Sequence, residues 1–246
     1  MPLAHPVAAA AFAGLAATGL AGTLAYATLS AQSQIFGRTI LGPPLPQQLA
    51  LTFDDGPNPA ATPQLLEVLA RHQARATFFL IGSYVRREAG LTREIAAAGH
   101  AIGNHTMTHP WLPFITAARI RAELAGCNAA LEDTLGRPIK LFRPPHGAVR
   151  PAVLRAAREL DLKIVQWNLI VDDWKADSAT TILERLEAGI ARNRGRGQGT
   201  NVVLHDGGHV GLGQPRLKTV EAVDSLLSRL RDLADAASFV TPPAWT

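Results

Sequence analysis

The chain has 246 residues, 47% hydrophobic and 18% charged, with a formal net charge of +4 at pH 7. That length supports one sizeable core rather than several, and the balance excludes a disordered or low-complexity protein. The positive residues are scattered, their densest run being Arg192, Arg194 and Arg196, which excludes a nucleic-acid footprint and suits an anionic surface such as a cell envelope.

Val7 to Leu29 carries no charge and is long enough to span a bilayer as a helix. Residues 1–30 are therefore expected to form a hydrophobic helix, either a signal peptide or a membrane anchor. Ala25-Tyr26-Ala27 matches a small-residue cleavage site, while the length of the run favours the anchor. Arg38, the first positive residue, lies on the domain side, so charge marks the orientation only weakly. Residues 31–48 contain prolines and read as a linker to a domain over 49–246.

From residue 49, short β-rich runs alternate with longer amphipathic ones, the signature of a parallel sheet with covering helices. Strands are expected at 49–53, 76–82, 100–104, 139–142, 163–168, 201–205 and 238–240. Helices are expected at 62–73, with Thr62 as cap and Pro63 in the first turn, and at 86–99, 116–136, 151–161, 179–193 and 217–235. Seven parallel strands with helices between them predict a deformed (β/α) barrel. The single cysteine, Cys127, stands at helical spacing from Ile120, Leu124 and Leu131, so it reads as a core thiol and no internal disulfide is possible.

The polar residues fall at the carboxyl ends of these strands. Asp54 and Asp55 follow the first, His105 and His109 the third, Arg143 and His146 the fourth, Asp173 and Trp174 the fifth, and His205 ends the sixth. In a parallel barrel those ends share one face, where active sites are built. Adjacent carboxylates repel unless a cation lies between them. His105-Thr106-Met107-Thr108-His109 places two imidazoles four apart, and two histidines with one carboxylate hold a metal while leaving an open position. One Asp would then bind the metal and the other remain free as a base. In Arg143-Pro144-Pro145-His146-Gly147 two prolines stiffen a turn, and a guanidinium fixed beside a carboxylate orients it. His72, His100 and His209 read as ordinary packing or surface histidines, although HDGGH brings His209 near the site.

TFDDGP, HTMTH, RPPHG, the W-x6-W pair ending in DDW, and LHD occur in the order and approximate spacing of the polysaccharide deacetylase family, the NodB-homology or family-four carbohydrate esterases, which residues 49 to about 240 resemble. The resemblance implies metal-dependent removal of acetyl groups from carbohydrate polymers. It implies Asp55, His105 and His109 as ligands of one divalent ion, zinc first, with cobalt, manganese or iron(II) as alternatives. It further implies Asp54 as general base, His205 as general acid oriented by Asp173, Arg143 as the partner of Asp54, the backbone N–H of His146 as oxyanion donor, and Trp174 and Leu204 as walls for the acetyl methyl. Two positions depart from the family pattern: His146 stands where a Tyr is usual, and Ile170 where an acid is frequent.

These readings predict a monomeric cell-envelope hydrolase, membrane-anchored or secreted, that removes acetyl groups, N-acetyl first, from peptidoglycan or a chitin-like polymer outside the cytoplasm. A deformylase or deacylase of a lipid-linked sugar is the enzymatic alternative. A non-catalytic envelope-binding relative is the other, and such a protein is expected to lack a base, an acid or a ligand, all of which are present here.

Overall fold

The computed structural model describes residues 19–232 and 238–242. The elements in chain order are α1 (residues 19–29), β1 (Gln48–Gly56), α2 (Thr62–Arg71), β2 (Ala76–Leu80), α3 (Gly82–Arg87), α4 (Ala89–Ala97), β3 (Ala101–Asn104), α5 (Ala117–Leu135), β4 (Leu141–Phe142), α6 (Pro151–Glu159), β5 (Lys163–Ile164), β6 (Leu169–Ile170), α7 (Ala179–Gly195), β7 (Thr200–His205), α8 (Leu217–Asp232) and β8 (Ser238–Phe239). All strand pairings are parallel and run β5-β4-β3-β2-β1-β7-β6, with β8 joining the first two residues of β1. Seven strands thus curl into the expected incomplete barrel, and β5 and β6 are the ends of its path.

Sequence explains most of this. All five residues of β2, ATFFL, are buried, the continuous apolar reading of a strand covered on both faces. Thr116 caps α5 by accepting the Arg119 N–H at 3.2 Å, and Gly136 ends it with a left-handed φ of 65°. Cys127 is buried within that helix as expected.

Four local expectations are corrected. Residues 163–168 do not form one strand: β5 pairs with β4, and the chain then crosses to the far edge, where β6 pairs with β7. The helix expected over 86–99 is two helices, broken at Glu88 (φ −119°, ψ 44°). Gly82 opens α3 instead of ending β2. Thr62 is not the cap of α2. Ala61 holds that position, and the Thr62 hydroxyl accepts the Asn58 N–H at 2.8 Å and donates to the buried carboxyl of Asp206.

The segment expected as a linker is laid against the domain between the two ends of the sheet path. Ile40 forms a parallel bridge with Val165, donates to Ile164 O at 2.9 Å and accepts from Gln166 N at 2.8 Å. Leu41 O accepts from Asn201 Nδ2 at 3.1 Å. Among the described residues no helix is long and apolar enough to cross a membrane; residues 7–18 of the expected apolar span lie outside them.

Candidate active site

The cavity at the carboxyl ends of the strands measures about 560 Å³ and is lined by residues from five separated parts of the chain. Its floor begins at the end of β1. In a regular strand adjacent side chains point to opposite faces, yet Asp54 and Asp55 both line the cavity. The pairing of β1 with β2 shifts register between Asp54 and Gly56, and Asp55 takes a left-handed φ of 69°. This irregularity turns Asp55 back toward its neighbour, as bulges beside active sites do. Gly207 makes it sterically possible, because a Cβ there would lie 1.9 Å from the Asp55 carbonyl oxygen.

His105 follows β3, and His109 stands four residues on with a φ of 59°. The loop between them is pinned to α5, since Glu123 accepts from the N–H and the hydroxyl of Thr108 at 2.8 and 2.9 Å. His105 Nδ1 lies 2.8 Å from the Arg143 carbonyl oxygen. Nδ1 therefore carries the proton, and Nε2 presents its lone pair to the cavity. Asp55 Oδ1 sits 3.4 Å from His105 Nε2 and 3.2 Å from His109 Nε2.

One ligand atom from each of Asp55, His105 and His109 lies within 4.8 Å of the other two. Asp55 Oδ1 is buried and has no hydrogen-bond partner, an arrangement that is costly by itself and that a cation at the point the three atoms share would resolve. Burial raises the Asp55 pKa, but the imidazoles of His105, His209 and His109 outweigh it and hold the carboxyl well below its ordinary range. Burial and the neighbouring His105 push His109 down to about 2, leaving it a neutral donor. The residues fit a divalent ion of the zinc type.

Arg143, fully buried, fixes the other carboxylate. Its Nη1 donates to Asp54 Oδ1 at 2.8 Å and to Thr52 Oγ1 at 2.7 Å, Nη2 to Gln166 O at 2.9 Å and Nε to Val165 O at 3.1 Å. The guanidinium packs 4.2 Å over the ring of Phe79. With Oδ1 so held, Oδ2 of Asp54 is the oxygen nearer the ligand set, 3.8 Å from His105 Nε2.

On the strand beside β1, His205 ends β7. Its Nδ1 lies 2.8 Å from Asp173 Oδ1, and its backbone N–H donates to Asp173 Oδ2 at 2.9 Å. Thr219 of α8 donates to the same Oδ2 at 2.9 Å, so the carboxylate is locked in place. Burial disfavours the imidazolium, but the charge and hydrogen bond of Asp173 prevail and push His205 up to about 9. Trp174 stands edge-on to this imidazole, with ring centroids 4.8 Å apart.

His146 lines the cavity, and its ring stacks on Trp111 at 3.8 Å and 11°. Burial pushes it down to about 4. Ile170, where the resemblance would favour an acid, is 45% exposed and also lines the cavity. Leu204 is a correction. It does not line the cavity but is fully buried in the main core, whereas Val203 lines the cavity beside Trp167. Side chains alternate along a strand, so the residue that shares a face with His205 is two positions before it. That alternation is the signal by which the sequence could have pointed to Val203.

Two further residues were not singled out as site members. His209, read as an ordinary histidine with some doubt, stacks on His109 at 4.5 Å and 14°, and its Nδ1 lies 3.7 Å from Asp55 Oδ2. Asp206 lies beneath the site in contact with Thr62, and burial pushes it up to about 7.

Residues 42–165 match the polysaccharide deacetylase family. A peptidoglycan-N-acetylglucosamine deacetylase of Bacillus cereus is 34% identical over 205 residues, covering 82% of this chain and 70% of the relative. A chitooligosaccharide deacetylase of Bradyrhizobium is 37% identical over 158 residues, 64% of this chain and 69% of that protein. Among solved structures, the Bc1960 peptidoglycan N-acetylglucosamine deacetylase superposes with a TM-score of 0.74 at 32% identity, covering 84% of this chain and 91% of that one.

Proposed function

We propose, from the premise that the chain belongs to the polysaccharide deacetylase family, that it hydrolyses the acetamide of N-acetylglucosamine units in a cell-wall polymer, peptidoglycan first, releasing acetate and leaving a free amine on the sugar. The observation that carries this reading is the unpartnered Asp55 Oδ1 between two imidazole Nε2 atoms, with a fixed carboxylate on one side and a carboxylate-bound imidazole on the other. Asp55, His105 and His109 would hold one divalent ion, zinc first, which when bound supplies an acidified water and polarises an acyl oxygen.

The remaining work falls to the chain's own residues. Asp54, its Oδ1 tied to Arg143, takes a proton from water at Oδ2 as the water oxygen attacks the acetyl carbon. The backbone N–H of His146 is the proposed donor to the developing oxyanion. His205 enters the step as imidazolium, held so by Asp173, and passes a proton to the sugar nitrogen as the carbon–nitrogen bond breaks. Trp174, Trp167 and Val203 form the apolar wall beside the acetyl methyl.

The catalytic domain acts in this reading at the cell envelope, outside the cytoplasm. Acetate release from peptidoglycan and from chitin oligomers, before and after chelation and on returning zinc or cobalt, tests it. Metal-restored acetate release is expected. Activity that survives exhaustive chelation, or formate release from a lipid-linked sugar with none from either polymer, would overturn it.

A further inference from the structure

Residues 27–31, on the N-terminal side of the expected linker, are built into the wall of the site. Ala27 is only 1% exposed, and the Thr28 carbonyl accepts the N–H of Val149 at 2.8 Å. Ala31 is buried in one cluster with Trp167 and Val203, both of which line the cavity. A Cβ on Gly147 would come within 2.7 Å of the Ala31 Cβ and within 2.7 Å of Trp167 Cη2, so at this position only glycine lets the two segments close on each other. Gly147 O accepts from Gln166 Nε2 at 2.9 Å. Gly147 follows His146 directly and Val149 stands three residues after it, His146 itself being at a left-handed φ of 59°. The His146 loop is therefore held from one side by Gln166 and from the other by Thr28 and Ala31.

We infer that residues 27–31 position the His146 loop, and that the mature enzyme keeps the chain upstream of Thr28, so that its site stays joined to the uncharged run over residues 7–29. The cleavage pattern Ala25-Tyr26-Ala27 conflicts with this packing. Hydrolysis after Ala27 would sever a hydrogen-bonded turn, in which Ser30 N–H donates to Tyr26 O at 3.0 Å. It would also leave a charged amine on Thr28, the residue whose carbonyl anchors Val149.

The test has two arms, of which only the kinetic one rests on the proposed deacetylation. In the first, the full chain is expressed in an exporting bacterium and the intact mass of the mature protein is measured. A mature chain that begins upstream of Ala27 is expected. A mature protein beginning at Thr28 or later would overturn the inference.

In the second arm, Ala31→Ser and Ala31→Val are compared. Added bulk at Ala31 pushes on Gly147 and displaces the loop, and small misplacements of a catalytic group cost about 10-fold to 100-fold in turnover. Ala31→Ser is expected to keep kcat, whereas Ala31→Val loses about 10-fold in kcat, with KM, zinc affinity and melting temperature close to those of the parent. Undiminished kcat in Ala31→Val, or a loss of zinc affinity equal to the loss of kcat, would overturn the positioning role. Ala31→Cys, a smaller increment, gives the same comparison if the valine variant does not fold.

Discussion

Asp54 and His205 are register partners at the carboxyl ends of adjacent parallel strands, β1 and β7. Residues 151 positions apart in sequence are thereby set side by side by backbone pairing alone. A base and an acid held on neighbouring strands keep their separation without relying on loop order. Asp54→Asn should therefore leave the pairing and the ligands intact. Turnover is expected to fall by about 100-fold to 10,000-fold, while zinc content by elemental analysis stays near that of the parent. Full turnover in this variant would remove Asp54 from the base role.

The pH dependence follows from Asp173. Because His205 is pushed up to about 9, its acid form persists through neutral pH and is lost as pH rises through that value. A metal-free sample followed by imidazole NMR should show His205 titrating far above the ordinary 6.5. In Asp173→Asn the charge is gone and burial is left unopposed, so the titration moves to lower pH and the alkaline limb of kcat/KM moves with it. An unshifted limb would show that His205 does not supply the proton.

Arg143 spends its donors on four oxygens at once. A lysine cannot reproduce that planar fork. Arg143→Lys is expected to leave buried carbonyls unpaired and to lower the unfolding free energy measured by urea titration by about 3 kcal/mol, with turnover falling as Asp54 loses its fixed orientation. A stability within about 0.5 kcal/mol of the parent would be the level of a surface change and would contradict the buried fork.

In the proposed reaction the apolar wall beside Trp167 would select the acyl group. Val203→Ala opens space beside Trp167 without touching Asp54, Asp55 or His205. Since one methylene in an apolar pocket is worth about 10-fold or more in discrimination, the ratio of N-propionyl to N-acetyl hydrolysis is expected to rise about 10-fold. The same substitution at Leu204, which faces the core, is expected to lower the melting temperature instead and to leave the ratio unchanged.

Much of this was legible in the chain. The alternation of β-rich and amphipathic runs determined a parallel barrel, because period-2 and period-3.6 patterns are written locally. With strand order went the expectation that Asp54, Asp55, His105, His109, Arg143, Asp173 and His205 gather at one end, since the carboxyl ends of parallel strands share a face. The single cysteine and the scattered positive charge were likewise read from the chain alone.

Only the tertiary structure decided the rest. That Asp55 turns beside Asp54 depends on a register shift against β2 and on Gly207 from a distant loop, and neither contact leaves a local trace. The division of residues 163–170 between two strands reflects the separate edges of an open sheet. The segment over 27–41 became part of the domain because that sheet leaves a gap that the chain itself fills. Local pattern specifies elements, whereas register, bulges and gap-filling arise from contacts between residues far apart in sequence.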